Sequence, residues 1–169
     1  QNIRAIISPH AGYIFSGKVA ASAFAALSKN AEYKNIFIIG SSHIMAFEGA
    51  SVYDTGHFIT PLGKIKVNNF IGNKLKNGSK YFNFPVDAHL KEHCIEVQIP
   101  FIQYYFENEM NIVPIIIGTN NKNAIKEIAA SLKPYFTSEN LFLISSDFSH
   151  YPSYRDALEI DNITAGAIV

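Results

Sequence analysis

Four runs along the chain are nearly continuous in apolar residues: 3–8 (IRAIIS), 35–40 (NIFIIG), 111–118 (NIVPIIIG) and 140–145 (NLFLIS). Each is rich in β-branched or aromatic side chains and bounded by small or polar residues, the pattern of a parallel strand covered on both faces. Pro114 interrupts the third run, and a residue without an N–H predicts an edge strand, a bulge or a later strand start there. Between the runs the apolar period lengthens to that of a helix. Ala20, Ala23, Phe24 and Leu27 share one face over 18–27. Ile95, Ile99, Ile102 and Phe106 do so over 94–106, with Pro100 as a kink or the effective start. Asn121 can cap a third helix with a stripe of Ile125, Ile128, Ala129 and Leu132, ended near Pro134. A fourth helix is predicted from about Tyr154 to the end of the chain.

The stretch 50–88 reads differently. ASVYD and GKIKVN are predicted as antiparallel strand pieces around a turn at Pro61–Gly63, followed by a short helix over 70–75. Alternating strands and helices predict an α/β fold with a mostly parallel or mixed sheet flanked by helices on both faces. At 169 residues the expectation is a single domain over 1–169. The chain opens at Gln1 almost on a strand and closes at Val169 within a helical pattern, which predicts truncation at both ends.

Composition narrows the function classes. With 48% hydrophobic and 17% charged residues the chain can bury a sizeable core, which argues against disorder. Net charge is zero and no basic stripe is present, so a nucleic-acid partner is not expected. Apolar runs are strand-length, short of a membrane span, so no membrane partner is expected either. A lone cysteine, Cys94, permits no internal disulfide and fits a reducing, cytoplasmic compartment.

Three of six histidines follow a predicted strand at nearly the same place: His10 in IISPHAG, His43 in IIGSSH and His150 in LISSDFSH. Ligands of open α/β sheets bind beyond the carboxyl ends of the strands, and three strands would deliver three imidazoles to one such edge. Imidazole is the commonest metal ligand and an acid or base near neutral pH. Taken alone, each histidine is more often a hydrogen-bonding loop residue. Small neighbours at Gly12, Gly17, Ser41 and Ser42 leave room for a ligand, which places Ser42 in the predicted pocket. Asp147 is a ligand, an orienter of imidazole, or a cap of its own turn. In EHCIE, His93 and Glu96 share a face if helical; Glu96 reads more simply as a helix-start cap, and His93 stays open. Tyr13, one turn beyond His10, can line the pocket or simply pack, as can Tyr151. His57 and His89 read as surface or structural residues. No G-x-S-x-G surrounds Ser145, Ser146 or Ser149, which disfavours a serine hydrolase.

PHAGYIFSG at 9–17, IIGSSH at 38–43, EHCIEVQIPF at 92–101 and SSDFSHY at 145–151 resemble, in order and spacing, the motifs of the Memo family, also called the B component of the AmmeMemoRadiSam system. The resemblance covers essentially the whole chain and implies a fold related to the class III extradiol dioxygenases, non-haem iron enzymes that open catechol rings. It implies His10 and His43 as metal ligands, with Asp147, His150 and His93 beside them in catalytic roles. Cys94 stands where the family has serine. The cysteine that Memo proteins carry in place of the dioxygenase glutamate lies in a C-G-x-x-P-like segment of the C-terminal third, which this chain does not contain. Cys94 is in the wrong place to substitute. The expected cofactor is iron or copper, with zinc as a further option, and no nucleotide or flavin. Three functions compete. One is a metal-dependent oxidoreductase with dioxygenase-like chemistry on a small molecule. Another is a non-catalytic module binding a phosphopeptide or protein, working with a radical-SAM partner. The third is a structural remnant that self-associates through an open sheet face.

Overall fold

The computed structural model describes residues 3–168. Seven strands form one mixed sheet: β1 (Ala5–Ser8), β2 (Asn35–Ser41), β3 (Ala50–Val52), β4 (His57–Thr60), β5 (Gly63–Val67), β6 (Asn111–Ile117) and β7 (Asn140–Ser145). Their spatial order is β1-β7-β2-β6-β5-β4, with β3 also paired to β6. The four continuous apolar runs are four adjacent parallel strands, β1-β7-β2-β6, with β1 at the sheet edge. The inner strands read as unbroken hydrophobics because both faces are covered: Ile36 and Ile38 of β2 enter one core, Phe37 and Ile39 the other.

Helices α1 (Tyr13–Ala25) and α4 (Ile99–Tyr105) cover the first face through Phe24, Ile99 and Ile102. Helices α2 (Asn69–Gly78) and α5 (Lys122–Leu132) cover the second through Ile71, Leu75, Ile128 and Leu132. A one-turn helix, α3 (Asp87–Leu90), and α6 (Tyr154–Ile168) complete the set. Among the described residues no helix is long and apolar enough to cross a membrane.

Four expectations are corrected. Pro114 lies mid-strand in β6, an interior strand that starts at Asn111, rather than at an edge, a bulge or a delayed start. Its neighbours explain the tolerance. On one side β5 pairs only as far as Ile112, while β3 begins opposite Ile115, so Pro114 falls in the gap between two partner strands. Its carbonyl accepts from the Tyr53 amide across that gap, 3.1 Å away, and no ladder N–H is needed there. Second, ASVYD does not pair with GKIKVN. The hairpin partner of β5 is β4, a short strand that begins at His57, and β3 pairs antiparallel with β6 instead. Third, the buried stripe of α5 is Ala124, Ile128 and Leu132, while Ile125 is 40% exposed. Fourth, α1 starts five residues before Lys18, at Tyr13, and the 94–106 segment opens as a 3-10 turn (Glu96–Gln98) before α4; Pro100 does mark the effective start of that helix, in its first turn where its missing N–H costs nothing.

Asn121 does cap α5: its side chain accepts from the amides of Asn123 (2.9 Å) and Ala124 (3.3 Å). Asn121→Ala is expected to lower unfolding stability by about 1 kcal/mol, and Asn121→Ser to restore most of it. Urea denaturation decides; equal stability of all three proteins would show that the cap contributes nothing.

Candidate metal centre

The sheet order explains why distant histidines meet. β7 lies between β1 and β2, so the loops after three adjacent parallel strands open at one edge. His10 follows β1, His43 follows β2, and Asp147 and His150 follow β7. Ring centroids lie 5.1 Å apart for His10–His43, 5.6 Å for His43–His150 and 6.0 Å for His10–His150. His93 enters from the segment before α4, its ring 5.8 Å from both His10 and His43. Ligand nitrogens of His10, His43 and His150 all lie within 4.8 Å of one another.

His10 forms the floor. It is buried, its amide donates to Asp147 Oδ1 at 2.6 Å, and the Ala11 amide adds a 3.2 Å bond to the same oxygen. Asp147 thereby ties the loop after β1 to the loop after β7. Its other oxygen, Oδ2, stands 3.7 Å from His10 Nε2 and 3.9 Å from His150 Nε2. The cap of the turn after β7 falls to Ser146, whose hydroxyl accepts from the Phe148 amide. Phe148 and Tyr151 adopt left-handed backbone (φ 62° and 59°), so the loop carrying His150 holds two strained non-glycine residues, as loops at functional sites often do.

Burial pushes the His10 pKa below its ordinary value; the Asp147 charge opposes this, and His43 and His93 reinforce it. The ring is therefore neutral at pH 7, the form that binds a metal. His10 Nε2 is buried, with no hydrogen-bond partner among the described residues. A ring nitrogen left open in the interior, facing other imidazoles, fits a group that accepts lone pairs.

His43 is fixed by a residue to which the sequence alone gives no role. The buried Glu92 carboxylate accepts from the His43 amide at 2.7 Å and faces His43 Nδ1 at 3.0 Å. Burial alone would raise the Glu92 pKa, but bonds from the His43 amide and ring and the Cys94 amide outweigh it, and the carboxyl sits below its usual value. Glu92 is thus an ionised, buried acceptor. Ser145 and Gln98 are likewise site residues that the motifs do not single out. Ser145 Oγ lies 3.0 Å from His10 Nδ1, and Gln98 donates to Ser145 Oγ at 3.1 Å. The available signal is a glutamine inside the apolar stripe of α4's approach, between Ile95 and Ile99.

The other residues expected near the pocket sort by position. Tyr13 is half-exposed, donates to the Val97 carbonyl and lines an apolar groove of about 370 Å³ with Pro61, Leu62, Glu96 and Pro100. Glu96 opens the 3-10 turn and lines that groove rather than the histidine cluster. Ser42 caps its own turn by accepting from the Met45 amide. Cys94 is buried, its thiol donating to the Ser41 carbonyl, and burial pushes its pKa far up, so it is a packed thiol rather than a reactive one. His57 sits exposed on β4, and Tyr151 is fully exposed.

The donor set is two to three imidazoles with one carboxylate alongside, which suits iron, copper or zinc better than calcium or magnesium. The family model for Memo-like protein matches residues 1–168. Relatives include MEMO1 family proteins of Desulfurococcus amylolyticus (38% identical over 165 residues, 93% of this chain and 58% of the relative) and Thermoplasma volcanium (37% over 150 residues, 86% and 54%). A third, from Methanobrevibacter smithii, is 36% identical over 159 residues, 92% of this chain and 56% of the relative. The chain spans just over half the length of these curated relatives. It belongs to the Memo family, and its mixed α/β sheet is the fold, related to the extradiol dioxygenases, of that family.

Proposed function

We propose that the chain holds a transition-metal ion, iron or copper, between His10 and His43, and that the site serves redox chemistry on a small molecule. The observation that carries this reading is His10 Nε2, buried, unpartnered and among other imidazoles. His150 and Asp147 stand beside the ligands, where the imidazole can hand a proton to or take one from a bound molecule while Asp147 Oδ2 faces it at 3.9 Å. His93, with its side chain 58% exposed, lies at the mouth of the site and can do the same for an incoming group. A bound ion of this kind supplies open coordination positions for substrate and oxygen.

The outer wall of the site supports a second reading. His43, His93, His150 and Tyr151 are exposed, a shallow imidazole-lined surface that suits recognition of an anionic peptide without catalysis. Elemental analysis after anaerobic reconstitution with Fe(II) or Cu separates the two. Near-stoichiometric metal in the full chain, lost in both His10→Ala and His43→Ala, is the expected result. A metal-free wild-type protein, or an unchanged content in both variants, would sink the metal reading and favour the binding module.

A further inference from the structure

We infer that Glu92, and Ser145 together with Gln98, are positioning residues that hold His43 and His10 in the Nδ1–H tautomer, so that each ring presents a bare Nε2 to the shared site. The inference deepens the metal reading and rests on it for its purpose, though not for its geometry.

Donors and acceptors around two side chains fix where the protons lie. Glu92 is ringed by N–H groups. Oε2 accepts from the His43 amide at 2.7 Å, and Oε1 accepts from the amides of His93 at 3.1 Å and Cys94 at 3.3 Å. A carboxylate satisfied by three backbone amides has no proton to give. The fourth contact, His43 Nδ1 at 3.0 Å, therefore has to be the donor, and the proton sits on Nδ1.

Ser145 works the same way from the other side. Its hydroxyl donates to the Cys94 carbonyl at 2.6 Å, which uses its only proton. Gln98 Nε2 faces three acceptors: the Pro9 carbonyl at 2.9 Å, the Ser8 carbonyl at 3.4 Å and Ser145 Oγ at 3.1 Å. The flipped amide would set an oxygen against two carbonyls, so the nitrogen belongs on this side. Ser145 Oγ, its proton committed to Cys94, can only accept from His10 Nδ1 at 3.0 Å. His10 Nε2 is then the unprotonated nitrogen, and it is the one without a partner. Two rings on neighbouring loops, held by unrelated groups, arrive at the same tautomer. Partners of this type orient ligating histidines and raise their basicity.

The segment 92–98 supplies both locks. Glu92 reaches His43, Gln98 reaches Ser145, and the Cys94 carbonyl takes the Ser145 proton. One short stretch before α4 therefore governs both proposed ligands, His43 through one hydrogen bond and His10 through two, by way of Ser145.

Long-range 1H–15N correlation spectra of the histidine-labelled full chain without metal test the geometry directly, at alkaline pH where imidazoles are neutral. His10 and His43 are expected as Nδ1–H tautomers. Glu92→Gln is expected to shift His43 alone and Ser145→Ala to shift His10 alone, while Ser145→Thr keeps His10 as in the wild type. Zn(II) titration by calorimetry should then show roughly 10–100-fold weaker binding in Glu92→Gln and Ser145→Ala, with the threonine variant closer to wild type. An Nε2–H tautomer at either ring of the wild type overturns the inference, and that spectrum decides even where a buried substitution unfolds the chain. Shifted tautomers with unchanged Zn(II) affinity overturn the positioning role. Wild-type tautomers as expected with no Zn(II), iron or copper uptake would uphold the locks and defeat the metal reading alone.

Discussion

Gly40→Ala is expected to destabilise the chain by about 3 kcal/mol, at the upper end of overpacking costs, and Cys94→Ala is expected to recover a large part of that loss. Gly40 lies in β2 between β7 and β6, where the backbone has neighbours on both sides. A Cβ there would meet Cys94 Sγ at 2.5 Å and Cys94 Cβ at 3.3 Å. The sulfur has little room to turn into: Cys94 is fully buried, its thiol is bonded to the Ser41 carbonyl and its backbone is held by Glu92. Either the strand or the 92–98 segment has to move. Removing Sγ in the double variant leaves only the Cβ contact at 3.3 Å, tight but tolerable. Cys94→Ala alone should cost about 1 kcal/mol, for a small cavity and a weak thiol bond. Urea denaturation of the four proteins of the cycle gives the coupling. If the double variant is destabilised by the sum of the single losses, the Gly40–Cys94 contact is not what limits residue 40. The consequence reaches the site, because a displaced Cys94 carries Glu92 away from His43.

The same contact shows what is legible in the sequence and what is not. The four adjacent parallel strands are visible because continuous β-branched runs have few other uses in a chain this apolar. The convergence of His10, His43 and His150 is visible because each occupies the same place after a strand. The order of those strands is not visible in periodicity, and it is the interposition of β7 between β1 and β2 that makes the convergence tight. β4 escapes notice because HFIT alternates in exposure at a sheet edge and carries no continuous apolar signal. Pro114 misleads because its tolerance depends on two partner strands leaving a gap, a tertiary fact. Ile125 misleads by one position: Ala124 is small and gives little hydrophobic signal, yet it is the residue that is buried. Glu92, Ser145 and Gln98 are obscure for a shared reason. Each is an ordinary polar residue until burial and a specific imidazole give it a role, and burial is decided by strands far away in sequence. The start of α1 at Tyr13 is hidden by its outer face, where Ile14 and Phe15 are 89% and 83% exposed and break the amphipathic pattern.

His89 should make the fold acid-sensitive well above the range of the carboxylates. The residue sits under β3, its Nε2 donating to the Ser51 carbonyl at 3.1 Å and its ring packed at 5.6 Å from Tyr53. Its other nitrogen, Nδ1, is buried without a partner among the described residues, so protonation would place a positive charge and an unsatisfied donor in the interior. Burial lowers its pKa to about 4; Lys76 adds to the shift, while the Ser51 carbonyl and Glu92 oppose it. In the unfolded chain the ring titrates near 6.5. Between those values the unfolded state binds the proton more readily, so stability rises with pH through that window. The contribution is fully present above about 6.5 and is lost as pH falls towards 4. A shift of this size corresponds to roughly 3 kcal/mol, of which about 2 kcal/mol would be gone by pH 5. His10, whose pKa is also lowered, acts in the same direction, and Glu92 adds its own loss only at more acidic pH. A variant isolates the His89 share: His89→Gln retains a side-chain donor for Ser51 and cannot take up a proton. Unfolding free energies from urea titrations at pH 7.5 and pH 5 are expected to fall about 2 kcal/mol further in the wild type than in His89→Gln. Parallel losses in the two proteins would mean that His89 charges without penalty, with the loop 83–91 opening to admit water.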